Sequence, residues 1–185
     1  MRFQLSEETR KDPSQTGKLR NDFAKSILRV FKFKCPADLG ELYTRLGRVL
    51  DKYLRSGYLA GQIYAAVVLK QYKPPFKPIA DEDGLSNIIA NAQITLEQLL
   101  DGSYQPNASL ITVLTTRLMY SFHLGLVDFS RAHGITEFQF ISSTGCCAEC
   151  DCGAENGAIY TIADTQVGRC PPLHEGCVCI LVPVR

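Results

Sequence analysis

The chain carries almost no net charge: 20 Lys and Arg against 19 Asp and Glu leave +1 over 185 residues. That balance predicts neither strong overall attraction to nucleic acid nor an acidic tail. A secretion signal is not visible, because the opening MRFQLSEETRKDPSQTGK is polar and lacks an apolar stretch. No uninterrupted apolar run reaches the roughly 18 residues that a membrane-spanning helix needs. Internal repeats and low-complexity tracts are missing as well. The expectation is a soluble chain made in the cytosol, with no membrane partner, where thiols stay reduced and disulfides are disfavoured.

What the chain does have is apolar content, 45% of its residues, enough to bury a core without a metal or disulfides. Its charge is also unevenly spread. Residues 1–34 hold nine Lys and Arg against four Asp and Glu, whereas residues 135–185 hold two against six. The basic end could meet nucleic acid or an acidic protein surface, or could be a solvated helix face.

Hydrophobic spacing predicts a mainly α fold: a multi-helix body with a small C-terminal β-rich module stapled by zinc. Residues 1–17 read as a mobile arm, 18–134 as the helical domain and 135–185 as the module. Leu19, Phe23, Ile27, Val30 and Phe31 recur at helical spacing from Lys18 to Phe33. The other face carries Lys18, Arg20, Lys25, Arg29 and Lys32, candidate contacts for nucleic acid or a partner. Leu39, Leu42, Leu46, Leu50 and Leu54 mark a second helix, and Tyr58 to Gln71 a third segment, with Gly57 and Gly61 as possible breaks. The proline-rich run 73–78 is a connector. Further helices are expected from Ser86 to Leu100 and from Ala108 to Ala132, the latter ended by Gly134. Alternation then predicts short strands around 137–140, 158–161 and 178–182. His123 and His133 read as surface or helix-terminal residues.

Seven of the eight cysteines lie between positions 146 and 179, with His174 among them. Cys147-Ala-Glu-Cys150 is a pair whose tight turn aims two sulfurs at one point, and His174-Glu-Gly-Cys177 is a second such pair. Together Cys147, Cys150, His174 and Cys177 make a tetrahedral zinc site, closing a loop of 23 intervening residues. Cys179 competes with Cys177 for the last position; Cys152 and Cys170 rank below them, and Cys35 reads as an ordinary thiol. The zinc is expected to be structural, without catalytic residues. No His-Glu-x-x-His is present, and the run Cys170-Pro-Pro-Leu-His-Glu-Gly-Cys177 lacks the Pro-Cys-x-x-Cys spacing of zinc deaminases. No phosphate-binding glycine loop is found either.

The order of these pieces resembles the phage head morphogenesis family, the Mu protein F-like minor head proteins. The matching residues are Thr116-Arg117, Gly134-Ile135, Cys147 and Cys150, Gly157-Ala-Ile-Tyr160, Pro171-Pro172-Leu173-His174-Glu175-Gly176-Cys177-Val178-Cys179 and the closing Ile180-Leu181-Val182-Pro183-Val184. Asp12-Pro13-Ser14-Gln15-Thr16-Gly17-Lys18-Leu19-Arg20 is similar to the opening of such proteins. The likeness is specific over the last 70 residues or so. It departs where the usual His-Pro-Asn-Cys-Arg-Cys becomes His174-Glu-Gly-Cys177-Val-Cys179, and where Cys146, Cys152 and Cys170 are extra. The resemblance implies a minor capsid protein and virion component rather than an enzyme. It would be associated with the portal protein and other head proteins, act in head morphogenesis and in handling packaged DNA, and take no small-molecule substrate. The competing expectation is a zinc-containing nucleic-acid-binding module that uses the basic N-terminal helix.

Overall fold

The computed structural model describes residues 14–32, 38–71, 73, 76–79, 82–100, 108–143, 151–166 and 171–184. The expected arm at 1–13 and Cys35 lie outside the described residues; residues 14–17 already belong to the first helix. Four long helices run in succession: α1 (Ser14–Lys32), α2 (Leu39–Val68), α3 (Glu82–Leu100) and α4 (Ala108–Ala132). They are followed by strands β1 (Glu137–Ile141) and β2 (Ile159–Thr161), a short helix α5 (Ile162–Gln166) and strand β3 (Ile180–Val184). The fold is mainly α, with a small C-terminal sheet.

Helix α2 is started by Asp38, whose carboxylate accepts the Glu41 N–H at 2.7 Å and satisfies one of the orphan donors of the first turn. Leu42, Leu46, Leu50 and Leu54 repeat every four residues, and all four are fully buried. They meet Phe23 and Ile27 of α1, Leu85, Ile89 and Leu96 of α3, and Leu110 and Leu114 of α4 in one apolar cluster. Helix α4 is apolar and long enough to span a bilayer, yet 67% of its most apolar window is buried inside the fold. It is the central core helix.

The two expected segments at 39–54 and 58–71 are one uninterrupted helix. Gly57 and Gly61 do not break it; α4 lies against both, through the Ser121 and Leu118 side chains at Gly57 and through its backbone at Gly61, and leaves no room for a Cβ. An added methyl at Gly57 would lie 2.4 Å from the Ser121 hydroxyl, and one at Gly125 of α4 would lie 2.0 Å from the Tyr58 carbonyl oxygen. The helix ends where Lys70 turns to φ 56°, with Lys70 N–H donating to Val67 and Gln71 N–H to Ala66. That pair of bonds is the Schellman arrangement, formed here on a lysine instead of the usual glycine. Gly134 ends α4 in the same way at φ 75°, as its position in the sequence predicts.

The sheet has the order β2-β1-β3, antiparallel throughout. Its third strand lies two residues further along than alternation suggests, at Ile180–Val184, and Pro183 is tolerated because β3 is an edge strand. Phe138 and Phe140 point inward from β1. They join Ile180, Leu181 and Val182 with Ala65, Ala66 and Leu69 of α2 and Met119, Phe122 and Leu126 of α4 in a second cluster. The β-rich segment therefore shares its core with the end of the α2–α4 pair.

Candidate metal centre

Three side chains converge where the β segment meets α4. Cys152 sits in a single 3-10 turn, Asp151–Gly153. His174 and Cys177 sit at the two ends of a tight turn in which Cys177 N–H donates to the His174 carbonyl at 3.1 Å. Gly176, at φ 77°, supplies the left-handed residue that this turn requires. The ligand atoms of Cys152, His174 and Cys177 all lie within 4.8 Å of one another.

The spacing suits a tetrahedral ion. The Cys152 and Cys177 sulfurs are 3.8 Å apart. A tetrahedral metal with 2.3 Å bonds to sulfur sets two thiolates about 3.8 Å apart along one edge. Nδ1 of His174 is 2.8 Å from the Glu175 carbonyl oxygen, which can only accept, so that nitrogen carries the proton. Nε2 is left with the lone pair, the arrangement usual for a metal-bound imidazole. The residues present thus fit a metal ion held by two thiolates and one imidazole.

Electrostatics favour the thiolate at Cys177. Cys177 is held well below the ordinary thiol range, chiefly by a hydrogen bond from the Cys179 side chain. Backbone hydrogen bonds from Cys179 and Leu173 and the Cys152 thiol add to this, against the opposing effect of burial. Cys179 is itself fully buried. It adjoins the group, its thiol hydrogen-bonded to Cys177, while the ligand atoms within 4.8 Å of one another are those of Cys152, His174 and Cys177.

The turn is bolted to the helical body. Gly176 N–H donates to the Thr116 hydroxyl at 2.9 Å, and that hydroxyl donates to the Thr112 carbonyl at 2.9 Å. About one turn of α4 further on, the Tyr120 hydroxyl donates to the Pro172 carbonyl at 3.2 Å.

Of the sequence candidates, His174 and Cys177 are brought together, while Cys147, Cys150 and Cys170 lie outside the described residues. Cys152 ranks low on spacing alone, yet it is the cysteine that reaches His174 and Cys177. Its approach across 25 residues depends on the packing of the segments that β1 and β3 carry, for which local spacing holds no signal. Arg20 also departs from expectation. It is partly buried; burial lowers its pKa, and attraction to Cys177 partly offsets that. Glu175, near the ligands in sequence, is exposed.

Compared with family models, with curated proteins and with solved structures, the chain matches none.

Proposed function

We propose that the chain is a minor head protein of a tailed phage or prophage, portal-associated, whose C-terminal segment is fastened by a structural zinc ion. The observation that carries this reading is that several residues bearing the family resemblance build and anchor the metal-binding turn, joined there by Cys152, which the family lacks. His174 and Cys177 belong to the ligand group, Gly176 bonds to Thr116, and Pro172 bonds to Tyr120. Gly157 and Tyr160, also part of the likeness, frame the adjoining sheet: Gly157 N–H donates to the Phe140 carbonyl, and the Tyr160 ring packs 5.9 Å from that of Phe140.

Zinc is the ion that a sulfur-rich set with one imidazole favours in a reducing compartment. Cys147, Cys150 and Cys170 are the candidates for the remaining position. A site so rich in thiolate and tied into the core suits a staple rather than a reaction centre. The protein works in the virion, at the capsid interior or portal vertex.

Two measurements test the reading. Metal analysis should find about one zinc per chain, lost in both His174→Ala and Cys177→Ser; full retention in both variants overturns the metal assignment. Co-expression with a phage portal protein should give a complex that co-sediments. If the folded, zinc-loaded chain fails to associate with portal or any head protein, the assembly role falls while the metal site stands.

A further inference from the structure

Helix α1 turns one face into the core, where Phe23 and Ile27 are buried at 0% and 1% exposure. On the opposite face Lys18, Lys25, Arg29 and Lys32 are all exposed. At 100° per residue these four lie within a sector of about 60°, and at 1.5 Å rise they extend along about 21 Å of the helix. Arg20 lies roughly 200° round from Lys18 on the same count. It is partly buried, so it does not belong to the row. Among the described residues, none of the four forms an ion pair; Asp22, one turn from Lys18, is the only carboxylate on the helix.

A line of like charges costs self-repulsion, which neighbouring carboxylates would relieve. Here Asp22, about 40° round from Lys18, offsets one charge at the edge of the row and leaves the face with a net excess of positive charge. Its straightness and positive balance fit a polyanion that is itself linear. The aromatic residues of α1 do not join the face: Phe23 is buried, and Phe31 is packed against the core. Unpaired bases have no ring to stack on there, which disfavours single strands. We infer that the exposed face of α1 is a sequence-independent track for the phosphate backbone of double-stranded DNA, contacted by Lys18, Lys25, Arg29 and Lys32. This goes beyond the head-assembly reading and stands without it.

Four phosphate contacts make a definite prediction, because each neutralised phosphate releases condensed counterions. The logarithm of affinity should fall against the logarithm of salt concentration with a slope of about −3.6. The test is fluorescence anisotropy of the full, zinc-loaded chain with a random-sequence 24-base-pair duplex across a salt series. The double variant Lys25→Glu, Arg29→Glu should lose at least tenfold in affinity and about half of the slope, with melting temperature and zinc content unchanged. Lys73→Glu, Lys77→Glu changes net charge equally, on the exposed connector, and should bind as the parent does. Equal loss in both double variants would mean that net charge alone matters, and would overturn the track. So would absence of duplex binding at 20 mM salt, tighter binding of a single strand, or competition by polyglutamate as strong as by duplex; the last would assign the face to an acidic protein.

Discussion

A methyl group placed on the Cα of Gly61 would sit 1.8 Å from the carbonyl oxygen of Phe122. Helices α2 and α4 meet here backbone to backbone, and the contact is with main-chain atoms that no side-chain rotation can move aside. Gly61→Ala should therefore force the helices apart and cost about 3 kcal/mol or more. Gly47, on the same helix, has only the Gln93 amide nitrogen at 3.6 Å. Gly47→Ala should be neutral or stabilise by up to about 1 kcal/mol, through helix propensity alone. Denaturant unfolding of the two variants checks the contrast; equal effects would refute the close-approach account.

His123 lies within α4, buried at 3% exposure rather than on the surface as its place in the sequence suggests. Nδ1 is 2.9 Å from the Met119 carbonyl oxygen, while Nε2 is buried without a partner. Burial pushes its pKa down from 6.5 to about 4, only partly offset by the backbone bond. The folded state thus resists the proton that the unfolded state accepts. Its stability penalty is absent above pH 6.5, grows as pH falls, and levels off below about 4 at roughly 3 kcal/mol. His123→Gln, compared with the parent between pH 7 and 4, should show a shallower loss of stability; parallel curves would exclude this histidine as a source.

Gln62, fully buried on α2, clasps the connector at two points. Its Nε2 donates to the Ile79 carbonyl at 2.7 Å, and its Oε1 accepts the Ile79 N–H at 2.8 Å. One side chain thereby satisfies both backbone groups of a residue that lies beside prolines and outside any helix or strand. Gln62→Leu should leave both groups without partners and cost about 2 kcal/mol. Amide exchange at Ile79 should rise before global unfolding does.

At the metal centre, Cys152→Ser and Cys179→Ser should separate ligand from neighbour. The first should remove the zinc, since Cys152 stands 3.8 Å from Cys177. The second should keep about one equivalent while weakening its hold, because Cys177 loses the hydrogen bond that favours its thiolate. Metal content after dialysis against a graded chelator series reads both, and zinc loss from the Cys179 variant before any chelator is added would make it a ligand.

The sequence by itself determined where the helices lie, the stop at Gly134 and the existence of a cysteine-and-histidine turn. Four-residue leucine spacing, Gly134 at a helix end and His-x-x-Cys are local patterns, and local backbone physics is enough to realise them. Strand positions came out within a residue or two, because alternation marks a strand's presence better than its ends. Tertiary structure alone decided the rest. Gly57 and Gly61 read as helix breakers until α4 is seen lying against them, since a glycine's reason can be a neighbour distant in sequence. Cys152 joins His174 and Cys177, and Arg20 is half-buried instead of solvent-facing, because packing fixes which surfaces meet. His123 is buried because α4 is enclosed on nearly every side, a fact of the assembled helices that its own periodicity does not carry.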